Sequence, residues 1–393
     1  MGTQAFRIPR ALIIHPFLCQ KTICGTFEVN SDTAVNLSPR EWVLLYLVLQ
    51  RMLDLRPCNG AWADKLGLHR AYVRLMPNDL LTALHYTNAE LALLEGTSLF
   101  HGTMQRQERA HASSERAKLW LLTVRASTRN YEMQQWLDWI ESISWLDAWT
   151  WAEDSYASRS FPPQVGGWTS DDEPILIPGF DLLNHRRGEP VTWSYEHEKG
   201  KCQNENTGYA VFTWRTAYAE GDQVFNNYGA KTNEELCGSY GFVELGGPDD
   251  VLVLALRKSS EQSPRLFYWP RVDPDPPVAL MEALRENAKV TPFCSQNDNG
   301  GDVARLLGQV DIIETFERML RQRRKMFRRV QKEVDDAVAF EVGPDRVRAR
   351  VLHMIREYRM GQAAMLDKGI AWTETQLDKM LDELEKAGWT PPS

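Results

Sequence analysis

The sequence predicts an α+β protein, with short strands near the start and the middle of the chain and helices over most of the rest. Three observations predict it. Apolar residues recur at steps of three and four between residues 37 and 156, strand-like alternation follows between residues 191 and 225, and a long helical pattern begins at residue 302. A chain of 393 residues is too long for one core, so we expect two or three folded units.

The composition is that of an ordinary globular protein and argues against several classes of function. A net charge of −8 argues against a general nucleic-acid binder, so nucleic acid is not an expected partner. The six cysteines are scattered without a Cys-x-x-Cys pair, which argues against zinc and favours a reducing compartment. No apolar run approaches the roughly 18 residues of a membrane span, and no signal pattern begins the chain. We therefore expect a cytoplasmic and/or nuclear protein without a membrane partner.

The first elements are a strand and a helical block. Phe6 and Ile8 alternate with polar residues until Pro9, which predicts one short strand and a turn. Ser38 followed by Pro39 predicts the start of a helix, because serine caps helices and proline suits the first helical position. An apolar stripe then continues at helical spacing, and its simplest interpretation is core packing.

The helical block ends in an aromatic-rich segment from Trp136 to Trp151. Aromatic side chains can line a substrate groove, but this helical spacing favours packing. The segment from Ser158 to Phe161 closes the block, and Pro162-Pro163 follows it. By itself, Arg159 in this segment is most simply a solvated cation near the end of a helix.

The densest cluster of polar and aromatic groups begins after residue 174. An apolar run from Ile175 to Ile177 is ended by Pro178-Gly179, and Asp181, Asn184 and His185 follow. The amide and the imidazole stand side by side directly after an apolar run, which indicates a polar edge. We use this name for the three residues Asp181, Asn184 and His185. This edge is the first candidate for a functional site.

A small antiparallel β unit is predicted next. Its strands are Val191 to Tyr195 and Gly208 to Thr213, joined by a polar turn through Gly200 and Asn206. A further short strand, Gln223 to Phe225, leads into the sequence NNYG. These strands connect the polar edge to the second cluster of candidate site residues.

The second cluster surrounds a short predicted helix. Thr232 stands three residues before a glutamate, a capping-box spacing, so Tyr228 lies just outside the helix. Leu236 and Tyr240 share one face, which predicts that both side chains point toward the interior. Gly241 is placed to end the helix.

The C-terminal part is predicted to be helical. Breakers between Glu244 and Asp250 indicate a domain boundary. A long helix is predicted to begin at Asp302 and to be ended by Gly343-Pro344. Two more helices are predicted from Val347 to Leu366 and from Thr375 to Lys386. A basic cluster between residues 321 and 329 favours a solvated helix surface over a nuclear-localisation or nucleic-acid patch.

The segments PGFDLLNH and NNYGAKTNEELCGSYGF resemble the C-terminal half of a SET domain, in the branch typified by the Rubisco large-subunit lysine methyltransferase and its fungal ribosomal-protein relatives. Their order and separation make the pair more specific than either segment alone. The resemblance implies a SET β-fold interrupted by a helical insertion and followed by an all-α substrate-binding domain. The expected boundaries are 1–30 for a remnant of the N-terminal SET segment, 31–157 for the insertion, 158–246 for the C-terminal SET half and 247–393 for the Rubisco methyltransferase C-terminal-like domain.

The resemblance implies an S-adenosyl-L-methionine-dependent protein-lysine N-methyltransferase acting on a non-histone protein, for example a ribosomal protein. Methyl transfer requires a neutral amine, and a free lysine has a pKa near 10.4, so the site must lower that pKa or remove the proton. Burial beside a sulfonium would disfavour the charged form. The candidate catalytic residue is Tyr228, as an orienting hydroxyl rather than a phenolate base, because free tyrosine has a pKa near 10.

The resemblance also implies the cofactor site. Asn184 and His185 would bind the amino-acid end of the cofactor, and Tyr240 with Phe242 would wall the site. Each residue alone is more simply structural, but the combination favours a site. The candidate cofactor-binding residues are Arg159 of the SRxF segment, Asp181, Asn184, His185, Tyr240 and Phe242.

One departure from the family pattern leaves alternatives open. Family members carry a cofactor-binding glycine loop just before the first strand, and no Gly-x-Gly occurs here before residue 60, so this loop is expected to be absent. A catalytically silent protein-binding module is therefore the second hypothesis, although retention of the site residues together argues against it. A protein-histidine methyltransferase is a further alternative, because the sequence does not place the side chains of the acceptor pocket.

Overall fold

The computed structural model describes residues 3–29, 35–198, 207–257, 263–287 and 299–390. The chain forms two structural units. The first comprises Met1–His85 and Met104–Ala230, and the second comprises Tyr86–Thr103 and Lys231–Ser393. The predicted turn through Gly200 and Asn206 lies outside the described residues.

The described residues form helices and strands with the following bounds. The helices are α1 Pro16–Phe27, α2 Pro39–Leu55, α3 Ala61–Leu66, α4 Arg70–Arg74, α5 Asn88–Ala92, α6 Ser98–Ser127, α7 Tyr131–Glu141, α8 Trp145–Arg159, α9 Asn233–Glu235, α10 Val278–Asn287, α11 Asn299–Asp336 and α12 Ala349–Lys386. The strands are β1 Thr3–Pro9, β2 Asn184–His185, β3 Val191–His197, β4 Gly208–Trp214, β5 Phe225–Asn226, β6 Val251–Leu256 and β7 Arg265–Pro270.

The first unit contains a three-stranded antiparallel sheet with β4 between β1 and β3. Phe212 of β4 pairs with Phe6 on one side and Trp193 on the other. Its ring also contacts Phe180 edge-on, with 5.4 Å between ring centroids. Aromatic residues of the sheet thus pack directly beneath the segment that carries Asp181.

The last predicted strand of the β unit is wrong in its bounds and direction. The strand is Phe225–Asn226 rather than Gln223 to Phe225, and it pairs with Asn184–His185 in parallel. The β3–β4 hairpin lies between β2 and β5 along the chain, and the β2–β5 pair forms a sheet of its own. Two-residue strands carry no alternation that a sequence pattern could reveal.

The helical part of the first unit is held by a buried aromatic core. Ser38 caps α2 in a reciprocal capping box with Glu41, as its position predicted. Trp136 and Trp149 are almost completely buried, and the Trp149 indole donates a hydrogen bond to Ser113 Oγ at 2.9 Å. The interpretation of the tryptophan-rich segment as packing is therefore confirmed.

The second unit is built around the pairing of α11 and α12, with the β6–β7 hairpin packed on them. The separate helices predicted for 347–366 and 375–386 are wrong, because α12 runs unbroken from Ala349 to Lys386. Gly369 lies inside this helix, where an added Cβ would come within 3.1 Å of the Trp269 ring. The glycine thus permits close packing rather than ending the helix.

The basic cluster on α11 lies on a surface of ion pairs. Arg321 pairs with Glu317 and Glu374, and Arg324 pairs with Asp367. Arg323 differs, because its guanidinium donates to the Val253 carbonyl. None of the described helices combines the length and the apolar character that crossing a membrane requires.

Candidate active site

The segment PGFDLLNH turns sharply and then extends. Gly179 has a φ of 97°, a conformation that glycine adopts without strain. Phe180 follows and is fully buried, which fixes the turn against the core. Asn184 and His185 then pair in parallel with Phe225 and Asn226. This ladder brings the polar edge against the chain that leads to Tyr228.

Tyr228 is held by the PGFDLLNH segment at both its backbone and its ring. Its hydroxyl donates to the Leu183 carbonyl at 2.8 Å, and its backbone N–H donates to His185 Nδ1 at 3.0 Å. The two rings stack, with 4.9 Å between centroids and 20° between planes. Because Nδ1 accepts, the neutral imidazole carries its proton on Nε2. The phenol oxygen is thereby fixed in position and oriented as an acceptor.

Arg159 and Asp181 form a buried ion pair at the start of the same segment. Arg159 Nη1 donates to Asp181 Oδ2 at 2.8 Å and to the Asp181 backbone carbonyl at 3.1 Å. The Asp181 side chain is only 1% exposed and that of Arg159 is 18% exposed. Within the described residues, Asp181 Oδ1 and Arg159 Nε are buried without a hydrogen-bond partner.

These two atoms suit a zwitterionic ligand. A guanidinium that binds an internal carboxylate through one nitrogen keeps donors for a second carboxylate. The open Asp181 oxygen can accept from an ammonium group. Because a buried polar atom without a partner is unfavourable, a ligand that supplies both charges would be stabilised here. The residues therefore fit the amino-acid end of S-adenosylmethionine.

Asn184 lies at the exposed edge of this arrangement. Its side chain is exposed and makes no hydrogen bond within the described part of the chain. The structure therefore forms two hydrogen-bonded pairs, Arg159 with Asp181 and His185 with Tyr228, and both involve the PGFDLLNH segment. Asn184 lies beside His185 in β2, and within the described residues its side chain bonds to neither pair. The functional roles of all five stay predictions.

Tyr72 is a partner of the Arg159–Asp181 pair that sequence reasoning missed. Its hydroxyl donates to Asp181 Oδ2 at 2.9 Å, and both side chains are buried. Burial, together with the adjacent Asp181 carboxylate, raises the pKa of Tyr72 well above its usual value, so the hydroxyl remains a donor. The sequence contained only one signal, a tyrosine within a helical pattern, and that signal is typical of core packing.

Asn226 was also missed. It is 1% exposed, and its Oδ1 accepts from the Trp193 indole at 3.2 Å and from the Asn227 backbone at 2.8 Å. Asn227 in turn accepts from the Gly229 N–H at 3.0 Å. The asparagine pair thus shapes the turn around Tyr228. The doublet in NNYG was the available signal, because asparagine side chains commonly bond nearby backbone in turns.

Tyr240 and Phe242 belong to the second structural unit. The predicted capping box between Thr232 and Glu235 is confirmed, but residues Leu236–Tyr240 form a π turn rather than an α-helix. Leu236 is fully buried whereas Tyr240 is only partly buried, so the prediction of an interior position is confirmed for Leu236 and holds only in part for Tyr240. The wider turn shifts Tyr240 away from the position directly above Leu236.

The same π turn determines how Tyr240 meets Phe242. It ends at Gly241 with a φ of 74°, as predicted for a helix-ending glycine. The rings of Tyr240 and Phe242 meet edge-on at 6.3 Å. Burial, followed by the nearby Glu235 carboxylate, raises the pKa of Tyr240. Their role in a cofactor site stays a prediction.

Comparison with known proteins yields several named methyltransferases. The chain is 27% identical over 212 residues to ribosomal lysine N-methyltransferase set10 of Schizosaccharomyces pombe, covering 53% of this chain and 33% of that protein. It is 26% identical over 215 residues to protein-lysine N-methyltransferase EFM1 of Saccharomyces cerevisiae, covering 51% of this chain and 35% of that protein. The chain thus spans about a third of the length of these two curated relatives. No family model matches the chain.

Solved structures show the same fold. The SET domain of LSMT bound to lysine and AdoHcy aligns with a TM-score of 0.68 at 16% identity, covering 96% of this chain and 83% of that chain. Rubisco LSMT bound to AdoMet aligns with a TM-score of 0.63 at 16% identity, covering 99% and 88%. The predicted α+β SET fold is therefore confirmed. The resemblance to the Rubisco and fungal ribosomal lysine methyltransferase branch is also confirmed.

Proposed function

We propose that this chain, which has the SET fold and is related to named protein-lysine N-methyltransferases, transfers a methyl group from S-adenosylmethionine to a lysine side chain of a protein. The observation that supports the proposal best is the double attachment of Tyr228 to Leu183 and His185. It holds a phenol oxygen in a fixed position in the same unit as a buried ion pair that has open ligand-binding atoms.

The residues of the first unit would hold the amino-acid end of the cofactor. Arg159 would bind its carboxylate, and the open Asp181 oxygen would accept from its ammonium group. Asn184 and His185, which follow in β2, would complete the contacts. When bound, S-adenosylmethionine supplies a methyl group on a positively charged sulfonium. Tyr240 and Phe242 are proposed as apolar walls, as the resemblance implies.

Tyr228 would orient the acceptor amine. A lysine has a pKa near 10.4 in water, so the site must favour the neutral amine before it can react. The Tyr228 proton is engaged by the Leu183 carbonyl, so the phenol oxygen can accept an N–H of the amine and direct its lone pair. This arrangement positions the nucleophile without requiring a phenolate.

The substrate and the domain roles are part of the proposal. The names of the relatives support a protein lysine as the acceptor, with ribosomal proteins as the first class to test. The helical part after residue 247 is proposed as the substrate-binding domain, with 158–246 as the cofactor and catalytic segment and 31–157 as the helical insertion. The cytoplasmic or nuclear location stays a prediction.

Calorimetric titration of the 393-residue chain with S-adenosylmethionine tests the cofactor half of the proposal. We expect saturable binding that Asn184→Ala weakens and that Tyr228→Phe leaves within about twofold, because only the first change removes a cofactor contact. Absence of saturable binding by the wild-type chain would contradict the proposed activity and favour the protein-binding module.

Transfer of a labelled methyl group to purified ribosomal proteins tests the acceptor half. Acid hydrolysis of the labelled protein separates methyl-lysine from methyl-histidine. Methyl-lysine is the expected product, and its yield should fall in Tyr228→Phe. Label recovered as methyl-histidine would instead assign the chain to protein-histidine methylation, and cofactor binding without transfer to either acceptor would leave only the binding role.

A further inference from the structure

One side chain from the helical block reaches into the proposed cofactor site. Tyr72 lies in α4, 109 residues before Asp181 along the chain, and its hydroxyl donates to Asp181 Oδ2 at 2.9 Å. The same oxygen accepts from Arg159 Nη1 at 2.8 Å. One carboxylate oxygen therefore receives both donors, while Oδ1 has no partner within the described residues.

We infer that Tyr72 is a positioning residue, which holds Asp181 so that Arg159 keeps its remaining donors for the carboxylate of the cofactor. The inference rests on the proposed function, because it assumes that Arg159 binds that carboxylate. Through Tyr72, the helical block would contribute to cofactor affinity as well as to the hydrophobic core.

A buried carboxylate needs hydrogen-bond donors from the protein for its oxygens. Asp181 is 1% exposed, so water does not replace a lost donor. Without the Tyr72 hydroxyl, the Asp181 carboxylate lacks one donor, and we expect it to accept a second hydrogen bond from the Arg159 guanidinium instead. Arg159 is the cationic partner of Asp181 among the described residues, and its Nε has no hydrogen-bond partner there. The guanidinium can therefore turn and offer Nε as a further donor to Asp181. A bidentate Asp181–Arg159 pair would then occupy donors that a ligand carboxylate needs.

The direction of the effect follows from this redistribution. Loss of the Tyr72 hydroxyl should weaken ligands that carry a carboxylate and spare ligands that lack one. A merely structural role would reduce the stability of the chain and affect both kinds of ligand equally. The two interpretations are therefore separated by ligand chemistry and not by stability.

Tyr46 provides a matched control within the same helical block. It is fully buried in α2, and its hydroxyl is hydrogen-bonded to His69 Nδ1 at 2.7 Å. Tyr46→Phe therefore removes a buried tyrosine hydroxyl with its hydrogen bond, as Tyr72→Phe does, but without touching Asp181. Both variants should lose similar stability.

Calorimetry with two nucleosides tests the inference. S-adenosylhomocysteine carries the amino-acid carboxylate, and 5′-methylthioadenosine lacks it. We expect Tyr72→Phe to raise the Kd for S-adenosylhomocysteine about tenfold, the loss typical of a disturbed charge-assisted hydrogen bond, and Tyr46→Phe to change it less than about twofold. Both variants should leave the Kd for 5′-methylthioadenosine unchanged. Equal losses in the two variants, or equal losses for the two nucleosides, would overturn the inference.

Crystal structures of the wild-type and Tyr72→Phe chains test the positioning directly. We expect the Arg159 guanidinium to rotate and to make a second hydrogen bond to Asp181 in the variant. An unchanged Arg159 would refute the inference even if Tyr72→Phe weakens cofactor binding. If the wild-type chain binds neither nucleoside, the proposed function fails, and these structures still decide whether Tyr72 controls the position of Arg159.

Discussion

Two buried arginine–carboxylate pairs, one in each unit, differ in how completely their atoms are used. In the second unit, Glu90 Oε1 accepts from the Arg348 backbone and Nε, and Oε2 accepts from Arg348 Nη2 and the Thr87 backbone. In the first unit, one oxygen of Asp181 takes the hydrogen bonds of two side chains, while the other has no partner within the described residues. Use of both oxygens is expected of a pair that only stabilises the fold, whereas open atoms are what the proposed ligand-binding role of Arg159 and Asp181 requires.

The largest expected effect tests the saturated pair. Arg348→Met leaves the fully buried Glu90 carboxylate without its cation, so the free energy of unfolding should fall by about 3–5 kcal/mol. Denaturant unfolding followed by circular dichroism measures it. Arg324→Met is the control, because its partner Asp367 is half exposed and the pair contributes at most about 1 kcal/mol. An equal loss of unfolding free energy in the two variants would show that burial of the carboxylate does not make the Arg348–Glu90 pair more important for stability.

The next effect tests the proposed role of Tyr228, which lies in the same unit as the open pair. Tyr228→Phe removes the hydroxyl but keeps the ring against His185, so we expect kcat to fall about a hundredfold with little change in cofactor affinity. Steady-state methyl transfer measures kcat, and Tyr46→Phe serves as the control that should retain activity. Full activity in Tyr228→Phe would show that another group orients the amine.

A smaller effect compares the two arginines directly. Arg159→Lys keeps the charge but loses the planar donor group, so the Kd for S-adenosylmethionine should rise about tenfold. Arg348→Lys makes the same chemical change in the saturated pair and should leave that Kd unaltered while lowering stability. Calorimetry gives the Kd for S-adenosylmethionine of each variant, and denaturant unfolding gives the free energy of unfolding of each. If Arg348→Lys weakened the cofactor equally, the division into structural and ligand-binding pairs would be wrong.

The smallest effect concerns a second saturated carboxylate, Glu189, which lies in the first unit four residues after His185. Burial alone would raise its pKa, but hydrogen bonds from Thr216, Tyr218 and Arg186 outweigh it and lower the pKa. A carboxylate whose pKa is lower in the folded state contributes stability above its unfolded pKa, near 4.3, and loses it as the pH falls further.

Glu189→Gln should therefore flatten the decline of unfolding free energy as the pH falls below about 4.3. Urea unfolding at stepped pH values measures the slope. Glu196→Gln, at a half-exposed position on β3, is the control and should keep the wild-type slope. An unchanged slope in Glu189→Gln would mean that saturation does not stabilise the charged form.

Much of this arrangement could be predicted because it depends on neighbours in sequence. The Thr232 cap, the hairpin of β3 and β4, and the grouping of Asp181, Asn184 and His185 all follow from patterns within about ten residues. The resemblance supplied the pairing of that group with Tyr228. Tyr72 and Asn226 could not be assigned, because a buried hydroxyl or amide acquires its partner only when distant segments meet.

The unbroken α12 shows a different limit. Gly369 lies in the gap between the two helices that the sequence predicts, yet the chain is helical there, and an added Cβ would come within 3.1 Å of the Trp269 ring. Tertiary packing therefore overrides a weak local preference. In the segment Leu236–Tyr240, by contrast, the sequence predicts α-helical spacing but the structure has a wider π turn. The wider turn displaces the Tyr240 side chain relative to that of Leu236.

The two-residue ladder between β2 and β5 also has a kinetic consequence. The hydrogen bond from the Tyr228 backbone to His185 closes a loop of 43 residues, and little local structure supports it. Closing such a loop requires chain entropy to be lost before the contacts form, so long-range pairs of this kind assemble late. We expect the Tyr228 amide to exchange its hydrogen faster than the amides of β4. Tyr228 would then be among the last parts of the first unit to become fixed on folding, and among the first to loosen on warming.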